Sequence, residues 1–296
     1  MALKFYRKKT ERNIESRMKI KRLLDNFSIE VMPRTAAKID NFASILPKGS
    51  KVYIAHLEGT EIQSMIETAK RLTMEGMVPI PHFPARLISG DAELELWLQS
   101  YAGIGVDHGL VLAGGIKTSV GEFSNSMELL STGLFDKYKF RNLCFAGHPE
   151  GNTDIDPDGK GQTIMHALNW KKNFSERSDI KASLTTQFCF ESRPILDWEK
   201  QLRKNGINFP INLGIAGPAK LQTIIKFAIL CGVGPSVKVL ERRAKDLTKL
   251  LLPYSPEKIL SEIADHVSNN ETNIASIHFF PLGGITQTTD FLNKIN

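Results

Sequence analysis

Short apolar runs alternate along this chain with longer stretches whose apolar positions recur every three or four residues. The runs read as strands over Phe27–Met32, Lys51–Leu57, Met77–Phe83, Gly109–Ala113, Phe140–Ala146, Ala182–Phe190, Ile211–Ala216 and Ile274–Phe280. Helical patterns follow at Ala36–Leu46, Glu61–Glu75, Ala92–Ala102, Phe123–Leu134, Gln162–Phe174, Ile195–Lys204, Ala219–Leu230 and Thr286–Lys294. A longer helical insertion, about Ser236–Asn269, precedes the last strand. Eight strand–helix repeats in about 270 residues predict an α/β chain folded as a (β/α)8 TIM barrel. A doubly wound sheet usually carries glycines in its first strand–helix turn. Here that turn is MPRTAA, which favours the barrel.

Charge changes the picture at one end only. Residues 1–22 hold nine Lys/Arg and two Glu, a net +7, while the whole chain is at +6, so the remainder is close to neutral. This predicts a basic N-terminal arm (residues 1–25), helical from about Thr10 to Leu24, joined to a single barrel domain (residues 26–296). A solvated helix is the simpler reading of the arm, and contact with a polyanion is the functional one. No aromatic interleaving or motif supports a nucleic-acid partner. Cys144, Cys189 and Cys231 lie in apolar surroundings without CxxC spacing and read as reduced, buried thiols of a cytoplasmic protein. No apolar run reaches the roughly 18 residues of a membrane span, and MALKFYRKKTERN lacks the core of a secretory signal.

In such a barrel the C-terminal strand tips converge on one mouth, where catalysis sits. The tips here carry Glu30, His56 with Glu58, His82, Gly114 with Gly115, His148 with Glu150, Gln187, Gly214 and His278. Four of the seven His fall in this set. Glu30 stands out, because a lone carboxylate ending an apolar strand is costly unless it is solvated, paired or used. A metal held by Glu30, His56, His82 and His148 is an alternative, against which stands the absence of H-x-H or i,i+4 His pairs. Gly283-Gly284 before the last helix is a weak candidate for an anion-binding turn.

Several of these segments together resemble the methylenetetrahydrofolate reductase family. FSIEVMPRT is similar to its first-strand motif, VPIPHFPAR to its third, FAGHPEG to its fifth, LTTQFCFE to its sixth and IHFFPL to its eighth. The likeness runs from about residue 27 to the C-terminus. It implies a FAD-containing oxidoreductase of one-carbon metabolism, the folate branch that feeds methionine biosynthesis. The reaction would interconvert 5,10-methylenetetrahydrofolate and 5-methyltetrahydrofolate. The resemblance makes Glu30 the catalytic acid. It gives Gln187, Phe190 and His278 to the folate. It gives His82, Gly114, Gly115, His148, Glu150, Asn169 and Lys172 to FAD, with no metal. The substrate would be a tetrahydrofolate derivative, polyglutamylated if the basic arm has a ligand. The redox partner stays open between NAD(P)H and another, and the oligomeric state is open too, a homo-oligomer included. Phe188 and Phe190 also read as packing residues, with Phe190 just past the tip available for stacking.

The departures are informative. Ala113-Gly114-Gly115 stands where the family has Arg-Gly-Asp, and His56-Leu57-Glu58 where it has Thr-Tyr-Gly. A flavin without a neighbouring carboxylate at Gly115 is a poorer reductant and a better oxidant, which favours oxidation of methyl-tetrahydrofolate. Two other readings remain: a folate-dependent methyl-transfer protein without flavin, and a non-catalytic folate- or RNA-binding protein. For the enzyme, enclosure at the mouth should raise the pKa of Glu30 towards that of a working acid.

Overall fold

A computed structural model describes residues 14–231 and 253–295. Eight parallel strands close into a barrel in sequence order. They are β1 (Ser28–Val31), β2 (Lys51–Ile54), β3 (Val78–Pro84), β4 (His108–Leu112), β5 (Asn142–Gly147), β6 (Lys181–Thr186), β7 (Ile211–Ala216) and β8 (Ile274–Phe280). Outward positions such as Ile29, Val52, Phe83, Val111, Phe145, Leu184, Leu213 and Ile277 are buried against the surrounding helices and form the main core. The alternate positions point inward, and Glu30 pairs in register with Tyr53, Ser28 with His278, and His82 with Leu110.

The barrel interior is unusually polar for a fold whose centre is normally filled by branched apolar residues. The Tyr53 hydroxyl lies 3.1 Å from Cys144 Sγ and 2.9 Å from Thr185 Oγ1. Asn212 donates to Ser183 Oγ and Thr185 Oγ1 at 3.4 and 3.3 Å and accepts from Ser276 Oγ at 2.8 Å. These groups satisfy one another, which removes the penalty a buried polar atom otherwise carries. They form a floor beneath the mouth.

The strands match their predicted positions to within a few residues, with larger differences around them. Strand β6 ends at Thr186, not Phe190. Beyond it the chain pairs irregularly, Gln187 N donating to Gly147 O and Cys189 N to Gly214 O. The helix predicted over Ala36–Leu46 is a single turn (Pro33–Ala36) and a 3-10 turn (Phe42–Ser44). Tertiary partners take its backbone groups: Arg71 donates to the carbonyls of Ala36, Ile39 and Asp40, and Glu75 accepts from Phe42 N. Phe123–Leu134 is likewise split into Ser126–Ser131 and Leu134–Lys137, with Gly133 left-handed between them at φ 72°.

Of the predicted insertion, the helix Glu257–Asn269 is described and residues 232–252 lie outside the described residues. Residues 1–13 of the basic arm also lie outside. Its remainder is a helix over 14–24 that packs on Glu257–Asn269 through Ser16–Ser261 (3.0 Å) and Lys19–Asp265 (3.1 Å). That helix buries Ile20, Leu23 and Leu24 in the main core, so its apolar face belongs to the barrel. Cys144 and Cys189 are buried, whereas Cys231 is at the surface, contrary to the reading of three buried thiols. No described helix is long and apolar enough to cross a membrane.

Candidate functional site

Strand β1 delivers Glu30 to the mouth, β3 delivers His82 and β8 delivers His278. Both imidazoles turn Nε2 to the same carboxylate oxygen, at 3.4 Å from His82 and 3.8 Å from His278. Both nitrogens are buried and neither has a hydrogen-bond partner. These separations are longer than a formed N–H···O bond, so the three groups enclose a loose, charge-bearing gap. On its far side His278 is fixed by Ser28, Oγ to Nδ1 2.9 Å, and by the Tyr53 ring at 4.3 Å between centroids.

Burial pushes the Glu30 carboxyl up, but His278 and His82 together pull it down further, and it settles below the ordinary carboxylate range. The prediction of a raised pKa is therefore corrected: Glu30 is an anion at neutral pH. The two imidazoles beside it favour that charge. His82 is lowered to about 4 by burial, partly opposed by Glu30, and is neutral. The adjoining His56 stacks on Trp97 at 4.8 Å, and its Nε2 donates to Thr60 O at 3.0 Å.

At the other side of the mouth a small cavity of about 10 Å³ opens between the tips of β5 and β6. His148, Glu150, Gln187 and Cys189 line it. The Gln187 carbonyl oxygen accepts from Phe188 N at 3.1 Å, leaving the amide N–H pair as its free recognition group. His148 is lowered to about 4, by burial first and then by Lys171. Lys171, on the helix Gln162–Glu176, is 5% exposed, lies over the Phe145 ring at 5.4 Å and is lowered by burial to about 8. Among the described residues it has no carboxylate partner.

The structure thus brings Glu30, His82, His278, His148, Glu150 and Gln187 to the mouth. It does not bring Lys172 there. Adjacent helical residues differ by about 100° in direction, so Lys171 turns to the sheet and Lys172 away from it. Lys172 approaches Glu176 at 4.0 Å and reaches Gly206, on the loop that enters β7 at the opposite end of the barrel. Asn169, on the same helix, is half-buried and has no hydrogen bond that ties it to the mouth. Phe190 is 8% exposed, packed with Phe188 at 5.6 Å and Tyr254 at 5.5 Å in a cluster beneath the helix Leu221–Leu230. It is a packing residue, and the alternative of stacking on a substrate is set aside. Gly283 offers no anion cradle, since a Cβ there would meet Pro218 O at 2.2 Å.

At the tip of β4, Gly114 has φ 101°, which requires glycine, while a Cβ on Gly115 would meet nothing within 4 Å. Charge reaches this tip from its neighbours. Arg86, from the turn after β3, donates to Ile116 O at 2.9 Å, to Ser124 O at 3.0 Å and to Asp154 at 2.7 Å. It ties the β3, β4 and β5 loops together. Arg86 lies within VPIPHFPAR, so the signal was present; its role was hidden because its partners are distant in sequence. Lys171 was hidden by the adjacent Lys172.

Among the described residues no group of three His, Cys, Asp or Glu is arranged to hold a metal ion. Fold and site define a (β/α)8 barrel with a carboxylate between two imidazoles at its C-terminal mouth. The chain matches no protein-family model.

Proposed function

We propose that this protein is a flavin-dependent oxidoreductase that interconverts 5,10-methylenetetrahydrofolate and 5-methyltetrahydrofolate. The observation that carries the reading is Glu30, a single carboxylate held between His82 and His278 at the mouth. Opening a methylene bridge between two nitrogens needs a proton at the departing nitrogen, and a group that can both hold and lose that proton. Bringing a ligand over Glu30 strips the remaining water from its carboxyl and raises its affinity for a proton. The free amide N–H groups of Gln187 suit a carbonyl on the edge of a pterin. His278, anchored by Ser28, keeps the Glu30 carboxyl oriented.

The side chains present fit FAD in their chemistry. Lys171 is a buried cation without a carboxylate beside His148, which suits an anionic phosphate, and Gly115 leaves open space at the tip of β4. His82 and His148 would line the cofactor. Bound FAD would supply or accept the hydride.

The purified protein should bind FAD, with flavin absorbance bands after incubation and gel filtration. Glu30→Gln should keep those bands and lose folate turnover by about 10²–10⁴-fold, the usual cost of a lost general acid. A protein that stays colourless in excess FAD yet transfers a methyl group from methyl-tetrahydrofolate would establish the flavin-free reading instead.

A further inference from the structure

We propose that the helix over residues 14–24 docks this protein on an anionic lipid bilayer, through the face it turns away from the barrel. One face of the helix is already used. Ile20, Leu23 and Leu24 are buried in the main core, and Ser16 and Lys19 reach Ser261 and Asp265 on the helix Glu257–Asn269. Successive residues turn by about 100° around a helix. The opposite face therefore carries Ile14 and Met18, one turn apart, with Arg17 and Lys21 along one side and Arg22 along the other. Ile14 is 55% exposed and Met18 52%.

The pairing of these two side chains marks the surface. Among the described residues the other large apolar side chains this exposed are Leu57, Met74, Leu96, Val120 and Ile229, and they stand one to an element. A single exposed apolar residue is ordinary. Two on one helical face, bracketed by cations, match a helix lying in a membrane interface. Its apolar side chains then enter the acyl boundary while its cations meet the headgroup phosphates. Arg17 and Arg22 have no carboxylate partner among the described residues. Two neighbouring acids, Glu15 and Asp265, both pair with Lys19, at 2.9 and 3.1 Å. In sequence the preceding residues are of the same kind: Lys4, Arg7, Lys8, Lys9 and Arg12 stand with Leu3, Phe5 and Tyr6 against the single acid Glu11.

Charge alone would suit any polyanion, and the apolar pair decides between them. A single-stranded nucleic acid is held by cations and by aromatic rings on which bases stack. Neither Ile14 nor Met18 offers a ring, and a phosphate backbone gives them nothing to bury against. A bilayer engages the cations and the apolar pair together. The helix leads into the start of β1, whereas Glu30 lies near the other end of that strand, so the contact and the mouth belong to different parts of the barrel surface.

The test is flotation of the full chain with vesicles, and no readout in it depends on FAD or folate. Vesicles of phosphatidylcholine with about 30% phosphatidylserine should carry the protein upward at low salt, and vesicles of phosphatidylcholine alone should not. Raising NaCl to about 0.5 M should release most of it, because exposed charges are then screened within a few ångströms. Ile14→Ser combined with Met18→Ser leaves the charge unchanged and should weaken binding by about tenfold or more. Arg17→Gln combined with Arg22→Gln should weaken it at least as much, each cation contributing about fivefold. Lys48→Gln combined with Lys70→Gln removes the same charge from exposed positions elsewhere and should stay within about twofold of the wild type. No flotation on the anionic vesicles would overturn the proposal, and so would undiminished binding by the folded serine variant. Equal losses in the two charge variants would reduce the effect to net charge and overturn it as well. A single-stranded RNA bound more tightly than the vesicles, with no loss in the serine variant, would make this face a nucleic-acid contact instead. If the serine variant does not fold, Met18→Ser alone and the two charge variants decide the question by the same comparison.

Discussion

Replacing Lys171 with Met should stabilise the protein. Lys171 is buried, its ammonium lies over the Phe145 ring, and burial lowers its pKa from 10.5 to about 8. At 1.36 kcal/mol for each tenfold change, that difference corresponds to about 3 kcal/mol against the folded state wherever the lysine is charged in both states. The sign follows from proton uptake. Between pH 8 and 10.5 the unfolded chain binds a proton that the folded chain releases, so stability rises with pH across this window. Below pH 8 the full cost is present. Met has a similar length and no charge, and its sulfur packs well on an aromatic ring. Lys171→Met should gain up to about 3 kcal/mol at pH 7, and the gain should fade as pH rises towards 10.5. Reversible urea unfolding at pH 7 and pH 10 measures both. A destabilised variant, or a gain of equal size at the two pH values, would show that the buried charge is not what costs stability here and that the burial argument is wrong. Because natural sequences seldom keep so costly a group without use, the same variant should also bind FAD more weakly if Lys171 faces its phosphates.

The wild-type fold should be sensitive to acid. His82 and His148 are each lowered from 6.5 to about 4, so their contribution is full above pH 6.5 and lost towards pH 4, up to about 3 kcal/mol each. The lowered Glu30 carboxyl acts in the same direction, its share present above the ordinary carboxylate value and lost as pH falls through its own. His148→Gln should flatten the fall in urea midpoint between pH 7 and 4.5, and an unchanged slope would place His148 in solvent. Gln187→Ala should weaken folate binding by roughly 1–3 kcal/mol, read by calorimetry, because a desolvated polar partner is lost; unchanged affinity would remove Gln187 from the site. Gly115→Asp should fold with near-native stability, since its Cβ would meet nothing within 4 Å, and should lower the midpoint potential of bound FAD. Gly114→Asp should be destabilised, since its φ is 101° and a Cβ would meet Pro84 at 3.2 Å. Equal stability of the two variants would contradict the backbone assigned to this turn.

The barrel was legible because its signal is repeated. Each strand buries its outward face under a helix, and that requirement writes the same apolar run eight times. Glu30, His82 and His278 were legible for a related reason, being polar residues at the ends of runs that have no use for them. Local breaks were harder to see where distant partners decide them. Asp40 and Asn41 sit in a helical pattern, but the turn there depends on Arg71 and Glu75, more than thirty residues away. The same holds for Arg86, whose acceptors Ile116, Ser124 and Asp154 come from two other loops. Direction around a helix was the remaining difficulty. Lys171 and Lys172 are adjacent and identical in type, and only packing against Phe145 shows which one turns inward.

The polar floor of the barrel bears on why the mouth works as a unit. An apolar floor would leave His278 without a partner for Nδ1 and free to rotate about χ2. Here Ser28 fixes one edge of that ring and the Tyr53 ring packs against its face, while Tyr53 is itself held by Cys144 and Thr185. The order imposed on His278 by strands β1, β2, β5 and β6 passes to Glu30, whose carboxyl has a fixed neighbour on one side. On the other side stands His82, 8% exposed, for which no such anchor is seen among the described residues. One imidazole is held on two sides, and the other faces the carboxylate at 3.4 Å. That asymmetry, set by which residues pack below each ring, gives the carboxyl one fixed neighbour while about 20% of its side chain stays exposed at the mouth.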